Sequence, residues 1–149
     1  MNVLMVCLGN ICRSPLAEGI LQNKVANTQI KVDSAGTAGY HIGNPPDPRS
    51  IKVAFDHGID ISKQRCRKFS ISDFDRFDLI YAMDKSNYRT IIAQARNTED
   101  SSKVRLILNE IDATDREVPD PYYDSNDGFE NVFQMIDEAC EIIAAKINN

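Results

Sequence analysis

No apolar run in this chain approaches the ~20 residues that a membrane span needs, and no charged-then-apolar leader opens it. The expectation is a cytoplasmic protein. Positive charge is also in short supply: 17 lysines and arginines face 22 aspartates and glutamates, for a net charge of -5. That balance argues against general binding to nucleic acid or to an acidic membrane. It leaves open a local anion site, which needs only a few aimed donors. Cysteines number four and histidines two. No Cys-x-x-Cys pair occurs, and His41 and His57 lack the i, i+4 relation, so a zinc site is poorly supported. Without a secretion signal the cysteines read as thiols rather than a disulfide framework. No Gly-Lys-Ser/Thr follows Gly9, and Gly9 stands alone, which excludes the nucleotide P-loop and the dinucleotide fingerprint. Repeats and low-complexity segments are missing too, and 149 residues suit one domain spanning 1–149.

What the chain has is an alternation of short apolar runs and helical stripes. Asn2 to Val6 reads Val-Leu-Met-Val with almost no polar interruption, as expected of a strand buried on both faces of a parallel sheet. Ser14 suits a helix cap and Pro15 the first helical position, after which Leu16, Ala17, Ile20, Leu21 and Val25 share one side. Glu18 is placed in the favourable first turn. Ile30 and Val32 suggest a second strand ending at Asp33-Ser34. Gly36 to Pro48, with Gly39, Gly43, Pro45 and Pro46 inside, reads as a long functional loop. Asp47-Pro48 starts a second helix, with Ile51, Ala54 and Phe55 on its buried side and Gly58 as its stop.

Lys63, Arg65, Arg67 and Lys68 form a basic run between Ser62 and Phe69. It reads first as a solvated edge and second as a weak attractor of anionic substrates. Ser70 to Phe77 suits a short helix and Leu79 to Met83 a third strand. Asp84 caps a helix through about Ala95, and Val104, Leu106 and Ile107 make a fourth strand. A polar loop spans Asp112 to Asp127. Phe129, Val132, Phe133, Ile136, Cys140, Ile143 and Ile147 then form the stripe of a closing helix. This order predicts an α/β fold with a mostly parallel sheet of about four strands.

The chemistry concentrates in Val6-Cys7-Leu8-Gly9-Asn10-Ile11-Cys12-Arg13-Ser14-Pro15. Ligands of parallel α/β sheets sit at the carboxyl ends of strands, and this stretch lies there, just before a helix N-terminus. Backbone N–H groups of a glycine-bearing loop can converge on an anion, aided by the helix dipole. The same field favours a cysteine thiolate. Arg13, separated from Cys7 by five residues, adds a planar fork matched to two phosphoryl oxygens. A thiolate inside such a cradle implies in-line attack on phosphorus and a cysteinyl-phosphate intermediate. The donors then stabilise the equatorial oxygens in the transition state. A lone cysteine after a strand is more often a small buried hydrophobe. Here the Gly, Asn, Ser and Pro around it favour the functional reading.

With these residues in view, the sequence resembles the low-molecular-weight protein tyrosine phosphatases. The match runs through Val6–Pro15, then Asp33-Ser34-Ala35-Gly36, Pro46-Asp47-Pro48-Arg49, His57-Gly58-Ile59, Ala82-Met83-Asp84 and Pro119-Asp120-Pro121-Tyr122-Tyr123. These fall in family order over nearly the whole chain. The resemblance implies a three-layer α/β/α fold with a four-stranded parallel sheet, flavodoxin-like and of the phosphotyrosine phosphatase I-like kind. It implies Cys7 as nucleophile, Arg13 as phosphate-binding arginine, and Leu8, Gly9, Asn10, Ile11, Cys12 and Ser14 as the remaining phosphate loop. Ser14 donates to the thiolate and makes it a better leaving group. Asn10 braces the loop with help from Ser34 and His57, and Asp84 orients Arg13.

Asp120 is implied as the acid that protonates the departing phenolate and the base that then activates water. A protonated Asp120 must coexist with a Cys7 thiolate, so a bell-shaped pH profile on the acidic side is expected. Tyr40, Tyr122 and Tyr123 are expected to wall the pocket against an aromatic ring, and by analogy Tyr122 and Tyr123 are candidate phosphorylation sites. Ile11 fits tyrosine-directed members, whereas relatives acting on phosphoarginine tend to carry threonine there. Cys12 is implied to form a reversible disulfide with Cys7 that guards it from overoxidation. Cys140 belongs to the core, and Cys66 has no assigned role.

Expected partners are phosphotyrosine proteins, small aryl phosphates, and inorganic phosphate or other oxyanions in the loop, with no cofactor and no metal. A thiol-dependent arsenate reductase shares this fold and loop, but would need two further cysteines near Ala82 to Asp84, where the chain has none. A catalytically silent phosphotyrosine-binding module would be expected to lack Cys7 or Asp120, and both are present.

Overall fold

A computed structural model describes residues 1–123 and 126–148. In chain order the elements are β1 (Asn2–Cys7), α1 (Arg13–Lys24), β2 (Lys31–Gly36), α2 (Pro48–Asp56), α3 (Asp73–Arg76) and β3 (Leu79–Ala82). They continue with α4 (Lys85–Ile92), α5 (Thr98–Ser102), β4 (Val104–Leu106), a 3-10 turn (Ile107–Glu110) and α6 (Asn126–Ile147). The four strands form one sheet in the order β2-β1-β3-β4, and every pair is parallel. The fold is α/β, as the alternation of elements requires.

β1 alternates its side chains between two cores, which makes three layers. Val3 and Met5 face a cluster built with Leu16, Ile20 and Leu21 of α1 and with Phe129, Val132, Phe133, Ile136, Cys140 and Ile143 of α6. Leu4 and Val6 face a second cluster with Phe69, Phe74, Phe77 and Ile91. Burying each large apolar side chain contributes roughly 1.5–3 kcal/mol, so β1, covered on both faces, anchors the sheet. Chain order reverses on either side of β1, where β2 and β3 lie. The loop after β1 therefore opens at a topological switch point, the usual ligand crevice of such sheets. Among the described residues, no helix is long and apolar enough to cross a membrane.

Several local expectations give way to packing. The α1 helix already begins at Arg13, so Ser14 lies inside it and does not cap it. Glu18 stands in its second turn, not its first. On α2 the buried residues are Ser50, Val53 and Ala54, spaced i, i+3, i+4. Phe55 is about one helical step further round and points to solvent at 69% exposure. The second strand runs on to Gly36, whereas the fourth stops at Leu106 because Ile107 enters the 3-10 turn. The third strand ends at Ala82, and α4 at Ile92 rather than Ala95. The basic run is more than a solvated edge. Phe69 N–H donates to Gly36 O and Gly36 N–H to Arg67 O, so residues 67–69 lie along β2. The polar loop expected over 112–127 ends early, since α6 starts at Asn126; residues 124 and 125 lie outside the described residues.

Candidate active site

The loop from Cys7 to Arg13 is held from outside by its carbonyls. Thr37 N–H donates to Cys7 O and Ala38 N–H to Leu8 O, both at 2.9 Å, and Asp47 N–H donates to Ile11 O at 2.8 Å. The Cys66 thiol donates to Gly9 O at 3.1 Å and the Ser50 hydroxyl to Cys12 O at 3.3 Å. Five loop carbonyls are thus tied to surrounding segments, and a glycine-bearing loop held in this way can turn its N–H groups toward an anion. Gly36 makes the close seating feasible. A Cβ there would stand 2.9 Å from Leu8 O and 3.1 Å from the Gly9 carbonyl carbon, closer than packed atoms tolerate.

The turn itself depends on Asn10, which has a φ of 56°. Asparagine tolerates that left-handed conformation better than most residues. Its side chain fixes it there. Nδ2 donates to Ser14 Oγ at 2.9 Å and to Ser34 Oγ at 3.0 Å, while Oδ1 accepts from Arg67 N–H at 3.0 Å. Ser14 Oγ lies 3.0 Å from Cys7 Sγ. Ser14 Oγ accepts from Asn10 Nδ2, and its own proton is within reach of the sulfur at 3.0 Å and of Ala35 O at a longer 3.5 Å. Ser34 Oγ in turn donates to Glu18 Oε1 at 2.7 Å. A chain of hydrogen bonds therefore links a carboxylate on α1 to the thiol at the end of β1. Burial pushes the Glu18 carboxyl up to about 7, with Asp33 adding to the shift while the Ser34 hydrogen bond and Arg67 oppose it.

Arg13 is 2% exposed. Its Nη1 donates to Asp84 Oδ2 at 2.7 Å and to Val118 O at 2.9 Å. Burial works against its charge, but Cys7, Asp84 and Asp120 outweigh burial and hold the guanidinium above its ordinary range. Asp84 caps α4 with its other oxygen, accepting from Asn87 N–H at 2.8 Å. Asp120 Oδ2 lies 3.7 Å from Arg13 Nη2, with its side chain 46% exposed. A cavity of about 330 Å³ opens over the loop, walled by Tyr40, His41, Tyr122, Tyr123 and Asp120. Cys12 is buried and lines the same cavity, and burial together with the nearby Asp47 pushes its thiol up to about 12.

The structure thus brings Cys7, Asn10, Cys12, Arg13, Ser14, Ser34, Asp84, Asp120 and the three tyrosines together. It does not bring His57. That ring stacks on Phe133 at 4.0 Å between centroids and pairs through Nε2 with Glu130 at 2.9 Å, at the far end of α2. The brace expected of it comes instead from the Arg67 backbone and from Glu18 behind Ser34. His41 and Glu18 are site residues that the sequence does not mark. Glu18 reaches the loop through the Ser34 hydrogen bonds and His41 by lining the same cavity, and no local spacing announces either.

A cysteine-arginine loop at the switch point of a parallel sheet, backed by a buried guanidinium and overhung by a carboxylate, defines an oxyanion-handling α/β protein. The sequence model of the low molecular weight phosphotyrosine protein phosphatases matches residues 2–149, and the chain belongs to this family of protein-tyrosine phosphatases. It is 41% identical over 151 residues to the Bacillus subtilis low molecular weight protein-tyrosine-phosphatase YfkJ, covering 98% of this chain and 95% of that protein. The crystal structure of a protein tyrosine phosphatase from Entamoeba histolytica, with Hepes in its active site, superposes with a TM-score of 0.92 at 37% identity. It covers 99% of this chain and 97% of the other. Vibrio vulnificus Wzb in complex with benzylphosphonate gives a TM-score of 0.87 at 32% identity, with 97% of each chain covered.

Proposed function

We propose that this chain, as one phosphatase domain over 1–149, hydrolyses phosphotyrosine in proteins and small aryl phosphates through a cysteinyl-phosphate intermediate. The observation that carries the reading is the Ser14 hydroxyl 3.0 Å from Cys7 Sγ, beside a guanidinium held in place by Asp84. The phosphoryl group sits in the loop of Leu8, Gly9, Asn10, Ile11 and Cys12, with Arg13 spanning two of its oxygens. Cys7 thiolate attacks phosphorus in line as the bond to the phenolic oxygen breaks, and Asp120 gives that oxygen its proton. A water, deprotonated by Asp120, then attacks the same phosphorus. The P–S bond breaks and the Ser14 hydroxyl stabilises the departing thiolate. Inorganic phosphate is left in the loop.

The aromatic walls Tyr40, Tyr122 and Tyr123 suit a phenyl ring above the phosphate. The benzylphosphonate bound by Vibrio Wzb, an arylmethyl phosphonate, supports that choice. Cys12, in the wall of the same cavity, is the proposed partner of an oxidised Cys7. The family reading carries a cytoplasmic setting with it. The test is hydrolysis of an aryl phosphate by the wild type, Cys7→Ser and Asp120→Ala. Activity surviving Cys7→Ser overturns the nucleophile, and an Asp120→Ala variant that matches wild type on a poor leaving group overturns the acid.

A further inference from the structure

Arg49 takes no part in the reaction above, yet it touches the elements that frame it. Its Nε and Nη2 form a fork on Asp47, 3.1 Å to Oδ1 and 3.0 Å to Oδ2. Asp47 is itself doubly fixed. Its carboxylate caps α2 by accepting from Arg49 N–H at 2.8 Å, and its own N–H donates to Ile11 O of the phosphate loop. From that seat Arg49 Nη2 donates to the Tyr122 carbonyl at 2.9 Å. The guanidinium also lies over the Phe129 ring of α6 at 4.5 Å and over the Tyr122 ring at 5.6 Å. Tyr122 is the residue whose N–H donates to Asp120 Oδ1, at 3.1 Å. A continuous path therefore runs from the phosphate loop through Asp47, Arg49 and Tyr122 to Asp120.

We propose that Arg49 is the positioning residue for Asp120, tying the acid-bearing segment to the phosphate loop so that the carboxyl stands over Cys7. This rests on the reading of Asp120 as the general acid. Asp120 and Tyr122 are exposed and Tyr123 beyond them is 94% exposed, with Pro121 alone buried among residues 120–123, so packing grips these four residues only there. A guanidinium suits the task where an ammonium does not. Its planar fork serves Asp47 and the Tyr122 carbonyl together, while its face rests on two rings. Loss of the tie lets Asp120 sample positions out of reach of the leaving oxygen, and that matters most when the leaving group is a poor one.

The experiment measures kcat/KM on aryl phosphates of graded leaving-group pKa for wild type, Arg49→Ala, Arg49→Lys, Asp120→Asn and Arg49→Ala/Asp120→Asn. For Arg49→Ala the expected loss is under ~2-fold on a nitrophenyl phosphate and roughly 10-fold on phenyl phosphate, a fraction of what general acid catalysis supplies. Arg49→Lys falls between. In the Asp120→Asn background the Arg49 substitution changes neither substrate by more than ~2-fold, since the two residues act as one unit. Alkylation of Cys7 by iodoacetate stays at the wild-type rate. A loss of equal size on every substrate, or one undiminished in the Asp120→Asn background, overturns the proposal. If Asp120→Asn alone shows no leaving-group dependence, the acid assignment itself fails, and that single variant tells the two failures apart. Should Arg49→Ala melt below the assay temperature, Arg49→Lys carries the same comparison.

Discussion

Asp84 holds Arg13 with one carboxylate oxygen and the start of a helix with the other. The contact to Arg13 Nη1 is 2.7 Å and that to Asn87 N–H is 2.8 Å. One side chain thus locks Arg13 to the N-terminus of α4. Asparagine caps helices as well as aspartate does, whereas alanine costs about 1 kcal/mol at a cap. Asp84→Asn and Asp84→Ala are therefore expected to weaken inhibition by inorganic phosphate by a similar factor, roughly 10-fold. Asp84→Ala alone loses the further ~1 kcal/mol of the cap. Thermal melting beside phosphate inhibition separates the two effects. A full-strength phosphate site in Asp84→Asn would show that its charge does not organise Arg13.

Glu18 makes stability depend on pH. Its folded carboxyl titrates at about 7, against 4.5 for the unperturbed group, chiefly because it is buried. The folded state therefore holds this proton more tightly than the unfolded chain. The contribution is most favourable below pH ~4.5 and is lost as pH rises through about 7, at a cost on the order of 1–3 kcal/mol. Glu18→Gln can still accept from Ser34 and carries no charge to bury. Its melting temperature should match wild type near pH 4.5 and exceed it increasingly toward pH 8. A constant difference across that range would mean that Glu18 does not change its ionisation there.

Ser14→Ala removes the hydroxyl 3.0 Å from Cys7 Sγ. In the proposed mechanism, expulsion of the thiolate in the second step then lacks its donor, and loss of one such donor costs on the order of 100-fold in rate. The expected outcome is a lower kcat with accumulation of phosphoenzyme, read by acid-quench trapping of phosphorylated Cys7. A fall in kcat with no trapped intermediate would place the hydroxyl's effect on the first step.

Oxidation should also respond to pH. In the proposed guard role, peroxide takes the Cys7 thiolate to a sulfenic acid, which Cys12 attacks to close the disulfide with loss of water. Cys12 attacks as a thiolate, and its thiol is pushed up to about 12. The bridge is expected to form faster as pH is raised from 6 to 9, as read by mass spectrometry after mild peroxide. Sulfonic acid at Cys7 with no bridge at any pH would exclude the guard role.

The phosphate loop is legible in the sequence because its chemistry is contiguous. Cys7, Asn10, Arg13 and Ser14 fall within eight residues between a strand signal and a helix signal. Asp84 and Asp120 are legible only through the family resemblance, since an aspartate before a helix or a proline has ordinary structural uses. Glu18 and Arg67 are not legible in either way. Their link to Asn10 exists because α1 packs beside β2 and residues 67–69 run along that strand, and no local spacing encodes either fact. His57 is the same case in reverse. A motif points it to the site, but stacking on Phe133 and pairing with Glu130 seat it elsewhere. Phe55 departs from its expected burial because a nine-residue helix with Ser50, Val53 and Ala54 inward has no buried face left for it.

The outward anchoring of the loop has an entropic consequence. Five of its carbonyls are bonded to surrounding segments, and its left-handed residue is locked by three partners. On the proposed reading a phosphate monoester meets a finished cradle and does not have to order one, so binding forfeits little conformational freedom on the protein side. Encounter, not rearrangement, should limit capture of the anion. On that reading, discrimination between one phosphate ester and another is expected to fall to the tyrosines that line the cavity above the cradle.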